Sequence, residues 1–420
     1  MPGMNVLGTI WAIMTTLGAP GLRLLLWLRL TRGKEIRGRL PERRGVDSTP
    51  RPPGRLVWLH AASVGETMSI LPVLPAITER APDVTILLTT GTVTSARLLT
   101  QRLDPDLVSR VLHRFAPLDV PAWVARFLEH WQPSVAGFVE SELWPNLLAG
   151  CGARRIPVML INARLSQRSL RRWRRVPQLA RQVLGGFTRV QPRSEADAER
   201  LRALGCCRVS EPCDLKLAAL PLPVDEPELR RLKNLLVGHP VWLAASTHPG
   251  EEIYIIAVHR MLALDHPGLV TIIAPRHPER GTAIPAAAYR SRGGGPPAGG
   301  VWVADTLGEL GLLYRLAGIA FIGRSLLPPG GGQNPLEPAR LGCAIAVGPH
   351  TSNFTDHVAM LCAAGGMSIV RDAAGLAHWV DALLRDSSRR QAMGKAAEMA
   401  VQRHGDLPRR TAAALLELLA

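Results

Sequence analysis

Short apolar runs alternate with amphipathic stretches of helical length along this chain, and the alternation starts afresh after Pro221-Leu222-Pro223. In the first half the runs are Leu56–His60, Val84–Thr89, Ser134–Val139, Pro157–Ile161 and Thr188–Gln191. Amphipathic segments over Met68–Arg80, Val93–Arg102, Val120–Trp131, Leu143–Gly150 and Leu170–Leu184 separate them. Apolar runs without polar alternation describe strands buried on both faces, the condition of a parallel sheet covered by helices. The second half repeats the pattern, with runs at Val241–Ala245, Leu269–Ala274, Val301–Ala304, Ile319–Ile322, Ala344–Val347 and Ser368–Val370. Helical patterns lie between them at Glu251–Leu264, Leu307–Leu316, Leu336–Leu341 and Asp356–Ala364. This order predicts an α/β fold with two similar parallel-sheet halves, joined near residues 205–225, whose strand carboxyl ends face a central cleft. Three parts are expected: an anchor over 1–32, a first domain over 33–215 and a second over 216–420.

The expected anchor rests on residues 5–30, which are apolar or small apart from Arg23 and Arg29, with Pro20 and Gly21 interrupting the run. Each half is short for a spanning helix, which needs roughly 20 apolar residues. A single tilted helix and an interfacial anchor both fit, and a buried core helix is the bland alternative. The basic block Arg29 to Arg44 suits the anionic cytoplasmic face of a membrane. The formal charge of +16, with further arginines at Arg168 to Arg181 and Arg409-Arg410, asks for an anionic partner: nucleic acid, membrane or phosphorylated substrate. Aromatic content of only 5 % leaves few stacking residues for a single-strand nucleic-acid binder. The six cysteines form no C-x-x-C pair and read as small core residues in a reducing compartment.

Neither a G-x-G-x-x-G nor a P-loop pattern occurs, and no H-E-x-x-H or G-x-S-x-G stands in the chain. The chemistry lies in polar clusters placed directly after the apolar runs, where open α/β sheets bind ligands. In the first half these are Ser63-Val64-Gly65-Glu66, Thr89 to Ser95, Glu140 to Asn146 and Asn162 to Ser166. A helix is expected to begin after Gly65, so Glu66 stands at a strand's carboxyl end as a candidate general base. Glu66 also suits a purely structural role, favouring the dipole of the helix's first turn. Glu140 would share its site; two carboxylates repel, and a cation such as Lys216 would offset that.

In the second half the clusters are Ser246 to Glu252, Pro275 to Arg280, Asp305 to Leu310 and Gly330 to Pro338. Together they describe a pocket for an anionic nucleotide. Arg276 can fork onto a phosphate, the glycines 330–332 allow close backbone approach, and a helix starting at Pro335 offers free N–H groups. Glu337 is placed to accept from ribose hydroxyls. Helix capping alone is the alternative for any one of these clusters. Gly293 to Gly300 is of low complexity and is expected to be a surface loop without chemistry.

In this order the motifs resemble the 3-deoxy-D-manno-octulosonic acid (Kdo) transferases of lipopolysaccharide synthesis, and the resemblance runs almost end to end. It is carried by Gly33-Lys34-Glu35, Ser63 to Glu66, Glu140-Ser141-Glu142-Leu143-Trp144-Pro145-Asn146-Leu147 and Asn162 to Ser166. Further on it is carried by Ser246-Thr247-His248, Pro275 to Arg280, Gly308-Glu309-Leu310, Asn334-Pro335-Leu336-Glu337 and Gly348-Pro349-His350. The chain departs from the family's usual pattern at Pro212-Cys213-Asp214, at Gly323-Arg324-Ser325, at Gln333, and at Val93 and Ser95. The resemblance implies a GT-B glycosyltransferase built of two Rossmann-like domains. It implies that Glu66 is the base, that Glu140 and Lys216 support the transition state, and that no metal or other cofactor is needed. The donor would be CMP-Kdo, held by Pro275, Arg276, Leu307, Gly308, Glu309, Asn334, Pro335, Leu336 and Glu337. The acceptor would be a lipid A precursor, met at the anionic lipid surface on the cytoplasmic face of the cell inner membrane, with no nucleic-acid partner. Two rivals are a nucleotide-sugar transferase with a polyprenyl acceptor and a non-enzymatic basic membrane-surface protein, the latter predicting salt-sensitive binding without turnover.

Overall fold

A computed structural model describes residues 6–293 and 295–419. Residues 1–5 of the expected anchor, Gly294 of the glycine-rich loop and Ala420 lie outside the described residues. The chain forms two compact units, one of residues up to Leu220 together with those from Asp406 onward, the other Pro221–Gly405.

The first unit holds six parallel strands: β1 (Leu56–Ala61), β2 (Thr85–Thr90), β3 (Val111–Phe115), β4 (Val135–Val139), β5 (Val158–Ala163) and β6 (Arg189–Pro192). Their order is β3-β2-β1-β4-β5-β6, so the chain reverses its direction of travel across the sheet between β1 and β4. Trp58 pairs with Leu87 on one side and with Ala136 on the other. Alternate residues of β1 feed opposite cores: Leu56 and Trp58 pack with Phe127, Trp131 and Phe138, while Val57 and Leu59 pack with Ile70, Ile77 and Leu415. Burial on both faces is why these strands read as unbroken apolar runs. β3 was not legible in that way. It is an edge strand whose His113 and Arg114 break the run. Burial and the neighbouring Arg39, Arg114 and Arg43 push the His113 imidazole down to about 3, so it stays neutral there.

The last helix, Leu407–Leu416, belongs to the first unit, which corrects the expected second-domain boundary at residue 420. Its buried Leu407, Ala412 and Leu415 complete the core beneath Val57 and Leu59. Thr411 donates to Gln191 Oε1 (3.1 Å), and Arg410 pairs with Glu211 at 2.8 Å. The chain therefore returns to its first unit to cover a sheet face left apolar.

At the amino end, Val6–Leu17 and Ala19–Thr31 are separate helices that meet at Gly18 with a bend of 56°. Among the described residues no single helix is long and apolar enough to cross a membrane; the bent pair meets the requirement of length and composition together. Trp11 Nε1 donates to Asp119 at 2.9 Å, and Asn146 Nδ2 donates to Thr15 Oγ1 at 3.0 Å. These bonds tie the first helix to the unit. Its other face, with Val6, Ile10, Ile13, Met14 and Leu17, is exposed, as are Leu24, Leu25, Trp27 and Leu28 of the second helix.

The second unit holds seven parallel strands: β7 (Val241–Thr247), β8 (Val270–Pro275), β9 (Ala288–Tyr289), β10 (Gly300–Val303), β11 (Ile319–Ile322), β12 (Ala344–Val347) and β13 (Met367–Ile369), ordered β13-β12-β11-β7-β8-β10-β9. Its reversal falls between β11 and β7. Several expected helices are trimmed or divided where proline interrupts them. Met68–Arg80 becomes Val64–Ile70 and Val73–Arg80 around Pro72, and Leu170–Leu184 becomes Gln167–Trp173 and Pro177–Gly185.

Candidate functional site

In the first unit, Glu66 follows β1 and Glu140 follows β4, the two strands that flank the reversal. Ligands of open α/β sheets bind at such a point. The helix carrying Glu66 starts at Val64 rather than after Gly65, with Ser63 as its N-cap. Glu66 N–H donates to Ser63 Oγ (3.3 Å), the Ser63 hydroxyl donates to Glu66 Oε1 (2.8 Å), and Ala62 N–H donates to Oε2 (2.7 Å). This is a capping arrangement, so the structural role is real. A carboxylate has about four acceptor positions, however, and these contacts occupy two. The side chain is thus aimed by its own loop and keeps capacity for a further hydroxyl. Glu66 is only 9 % exposed. Burial, with the charges of Glu142 and Glu140, pushes its carboxyl above the usual range despite the Ser63 bond.

Glu140 adopts a left-handed backbone (φ 62°), one of four non-glycine residues at strand carboxyl ends that do so among the described residues, with Asn162, Ser246 and Arg324. Such strain persists where the surroundings over-determine it, and it clusters at binding sites. Glu140 Oε1 lies 3.0 Å from Lys216 Nζ. Lys216 is positioned by a turn, Leu215–Ala218, whose N-cap Asp214 accepts from Lys216 N–H at 2.9 Å. Leu215 N–H in turn donates to the buried Asn162 side chain at 3.2 Å. The unusual Pro212-Cys213-Asp214 segment therefore still delivers its lysine to Glu140.

Glu142 is the residue that motif reading undervalued. Its carboxylate accepts from Trp144 Nε1 and lies 3.2 Å from His60 Nε2 on β1. Burial alone would raise its pKa, but the His60 and Trp144 contacts hold it below the usual carboxylate range. Glu142 is thus an anion kept beside Glu66. We expect Glu142→Gln to move the acid limb of the kcat/KM profile to lower pH. Removing a neighbouring negative charge eases ionisation of Glu66, so the base stays deprotonated further into acid. An unmoved limb would show that Glu142 does not act on the titrating group.

In the second unit the four polar clusters follow β7, β8, β10 and β11, which stand side by side in the order β11-β7-β8-β10. All of them therefore lie at one end of one sheet. Pro275 closes β8 and is buried; Arg276, next to it, is exposed, and its charge reaches Glu337. Asn334 Nδ2 donates to Glu337 Oε1 (3.0 Å), and desolvation raises the Glu337 carboxyl. The helix expected from Pro335 is a five-residue turn, Leu336–Arg340, with Pro335 as its cap, and Leu336 N–H donates to Asn334 Oδ1 at 3.1 Å. That N–H is not free, so the anion contribution of this helix end is corrected. Glycines 330–332 all have positive φ, and a Cβ on Gly330 would come within 2.2 Å of His350 Cβ.

Leu307, Gly308 and Glu309 form a loop ahead of the helix Leu310–Ala317, not its first turn. Leu307 is exposed, Gly308 has φ 85°, and Glu309 accepts from Arg290 Nη2 at 2.6 Å and from Thr306. Arg290 also pairs with Glu228 at 2.7 Å, which fixes the loop from behind; no sequence pattern pointed to it. The loop after β11 is fixed by Glu251. Its carboxylate accepts from four backbone N–H groups: His248 (2.9 Å), Arg324 (2.7 Å), Ser325 (3.0 Å) and Leu326 (3.0 Å). Among the described residues no group of three or more His, Cys, Asp or Glu could hold a metal.

The family model of the 3-deoxy-D-manno-octulosonic-acid transferases (kdotransferases) matches residues 38–219. A probable mitochondrial 3-deoxy-D-manno-octulosonic acid transferase of Arabidopsis thaliana is 39 % identical over 365 residues, covering 82 % of this chain and 80 % of the relative. The 3-deoxy-D-manno-octulosonic acid transferase of Bordetella pertussis is 34 % identical over 426 residues, covering 96 % and 98 %. This chain belongs to the 3-deoxy-D-manno-octulosonic acid transferase family. A member of that family is a glycosyltransferase, which sets aside the non-enzymatic rival. The solved glycosyltransferase of Rickettsia africae, 11 % identical, superposes with a TM-score of 0.57 over 88 % of this chain and 99 % of that one, a likeness of fold. The two parallel-sheet units are those of the GT-B class. Within this Kdo transferase family member, Glu66 stands on the first unit with the Glu140–Lys216 pair, and the four polar loops stand on the second.

Proposed function

We propose that this protein transfers Kdo from CMP-Kdo to a lipid A precursor, with inversion, in lipopolysaccharide synthesis. One observation carries the mechanism: a nearly buried Glu66 carboxylate, aimed by Ala62 N–H and Ser63 Oγ at the reversal of the first sheet, with the Glu140–Lys216 pair on the adjoining strand end. Glu66 takes the proton of an acceptor hydroxyl as its oxygen bonds to the anomeric carbon of Kdo. The bond from that carbon to the cytidylate phosphate breaks, and CMP leaves with the electron pair. The transition state has oxocarbenium character, and Lys216 with Glu140 supports it. On the second unit, Pro275 and Arg276, Leu307 to Glu309 and Asn334 to Glu337 hold the CMP moiety. Arg276 stabilises the charge that develops on the departing phosphate. The phosphate is a competent leaving group once so stabilised, and the reaction as written uses no cofactor besides the donor.

The acceptor is amphiphilic, and we place the reaction at the cytoplasmic face of the inner membrane. The exposed apolar face of the two amino-terminal helices supports this, as does the exposed basic segment Arg168 to Arg175. The six cysteines are free, as suits a reducing compartment. Basic residues near an anionic leaflet add about 1 kcal/mol each.

The test is to incubate the full chain with CMP-Kdo and a lipid A precursor and to weigh the product. The acceptor is expected to gain the mass of Kdo with release of an equal amount of CMP. CMP release without any gain in acceptor mass would refute the transfer.

A further inference from the structure

The first unit contains a cavity of about 230 Å³ that the transfer mechanism does not use. Its apolar wall is made by Leu25 and Leu26 of the second amino-terminal helix, by Pro117 and Leu118, and by Trp144 and Leu147. Charged residues also line it, and most of their polar atoms are engaged with other protein groups. Arg43 and Arg29 both pair with Glu35, at 3.1 Å and 2.9 Å. Glu142 is held by His60 and Trp144, and Asp119 accepts from Trp11 Nε1 and from the backbone of Asn146 and Leu147. What the lining offers a ligand is therefore apolar surface. The occupant should be a hydrocarbon chain rather than a sugar or a phosphate.

Two placements say where that chain comes from. The helix that walls the cavity carries Leu24, Leu25, Trp27 and Leu28 exposed, so the cavity adjoins the apolar face assigned to the membrane. The same lining includes His60 and Ala62, and Ala62 is the residue whose N–H holds Glu66. A chain lodged there touches both the exposed apolar helix and the loop that holds the candidate base. We propose that this cavity takes one acyl chain of the amphiphilic acceptor and so sets the acceptor's sugar hydroxyl against Glu66. This rests on the reading of the acceptor as an acylated disaccharide. Each buried methylene is worth about fourfold in affinity.

The test fills the cavity from its wall with Ala116→Leu and, separately, Leu118→Phe in the full chain. Transfer is measured with a fully acylated acceptor and with the same disaccharide stripped of its acyl chains. Binding to vesicles of phosphatidylethanolamine and phosphatidylglycerol is measured in parallel. kcat/KM for the acylated acceptor is expected to fall at least about tenfold, with the stripped acceptor and vesicle binding unchanged. Equal loss with both acceptors overturns the proposal. So does a fall in vesicle binding alone, which would assign the cavity to a bilayer lipid. If the unmodified chain transfers sugar to neither acceptor, the functional reading fails instead, and the cavity is then judged by binding alone. Brominated dodecyl glucoside should quench the fluorescence of Trp144 saturably, and both filled variants and Trp144→Phe should abolish that component. Absence of saturable quenching overturns the acyl-chain site independently of any activity.

Discussion

Glu66→Gln is expected to lower kcat for sugar transfer about a thousandfold and to leave CMP affinity unchanged. The amide is close to the carboxylate in shape and still accepts one hydrogen bond from the Ala62–Ser63 loop, so the helix Val64–Ile70 should remain folded. What it loses is the capacity to take a proton. The split between the two readouts separates the two roles of this side chain. A cap alone would show as a lower Tm with turnover nearly intact, because losing a cap costs about 1 kcal/mol. A base would show as lost turnover at unchanged Tm. Burial beside Glu142 and Glu140 raises the Glu66 carboxyl, so the unmodified enzyme should also lose activity on acidification earlier than an ordinary carboxylate would dictate. Transfer that survives Glu66→Gln within tenfold would remove Glu66 from the mechanism.

Glu251→Ala should be the most damaging single change in the second unit, at roughly 4 kcal/mol of unfolding free energy. Glu251 is 1 % exposed, and its two oxygens satisfy the four backbone N–H groups of His248, Arg324, Ser325 and Leu326. Truncation leaves those donors without acceptors, the N–H groups of Ser325 and Leu326 in buried positions. Glu251→Gln should be nearly as harmful, because its amide nitrogen would face N–H groups where an oxygen is required. Both Ser246 and Arg324, in the strained left-handed region, belong to the two loops that Glu251 ties together. CMP affinity should therefore drop by about tenfold or more, equivalent to ~1.4 kcal/mol. Urea unfolding followed by calorimetric titration with CMP measures both effects. A folded Glu251→Ala protein that binds CMP normally would show that the loops hold their shape without this carboxylate.

The residues that touch both sheets' carboxyl ends were legible because their chemistry is local. Glu66, Glu140, Arg276 and Glu337 each stand within a few residues of an apolar run, and a run's end is where a parallel strand delivers its side chains. Glu142 was harder to weigh. Its partner His60 lies far away in sequence, and only pairing of β1 with β4 brings the two within 3.2 Å. Arg290 was invisible for the same reason: it fixes the loop Leu307–Glu309 from a separate segment, bridging Glu309 and Glu228.

The sequence by itself determined the number of sheets, their parallel character and the end of each at which the polar clusters stand. Strands buried on both faces must be written in continuous apolar residues, and that is a property of composition along the chain. Tertiary structure alone decided the order of the strands, and hence that Glu66 and Glu140 flank one reversal and that the four polar loops of the second unit are neighbours. It also decided that the final helix returns to the first unit and that the amino-terminal apolar stretch breaks at Gly18 and is pinned through Trp11 and Thr15. These are contacts between residues remote in sequence. Each is chosen by which apolar face is left uncovered and which buried polar group still lacks a partner, and neither quantity exists until the chain has folded.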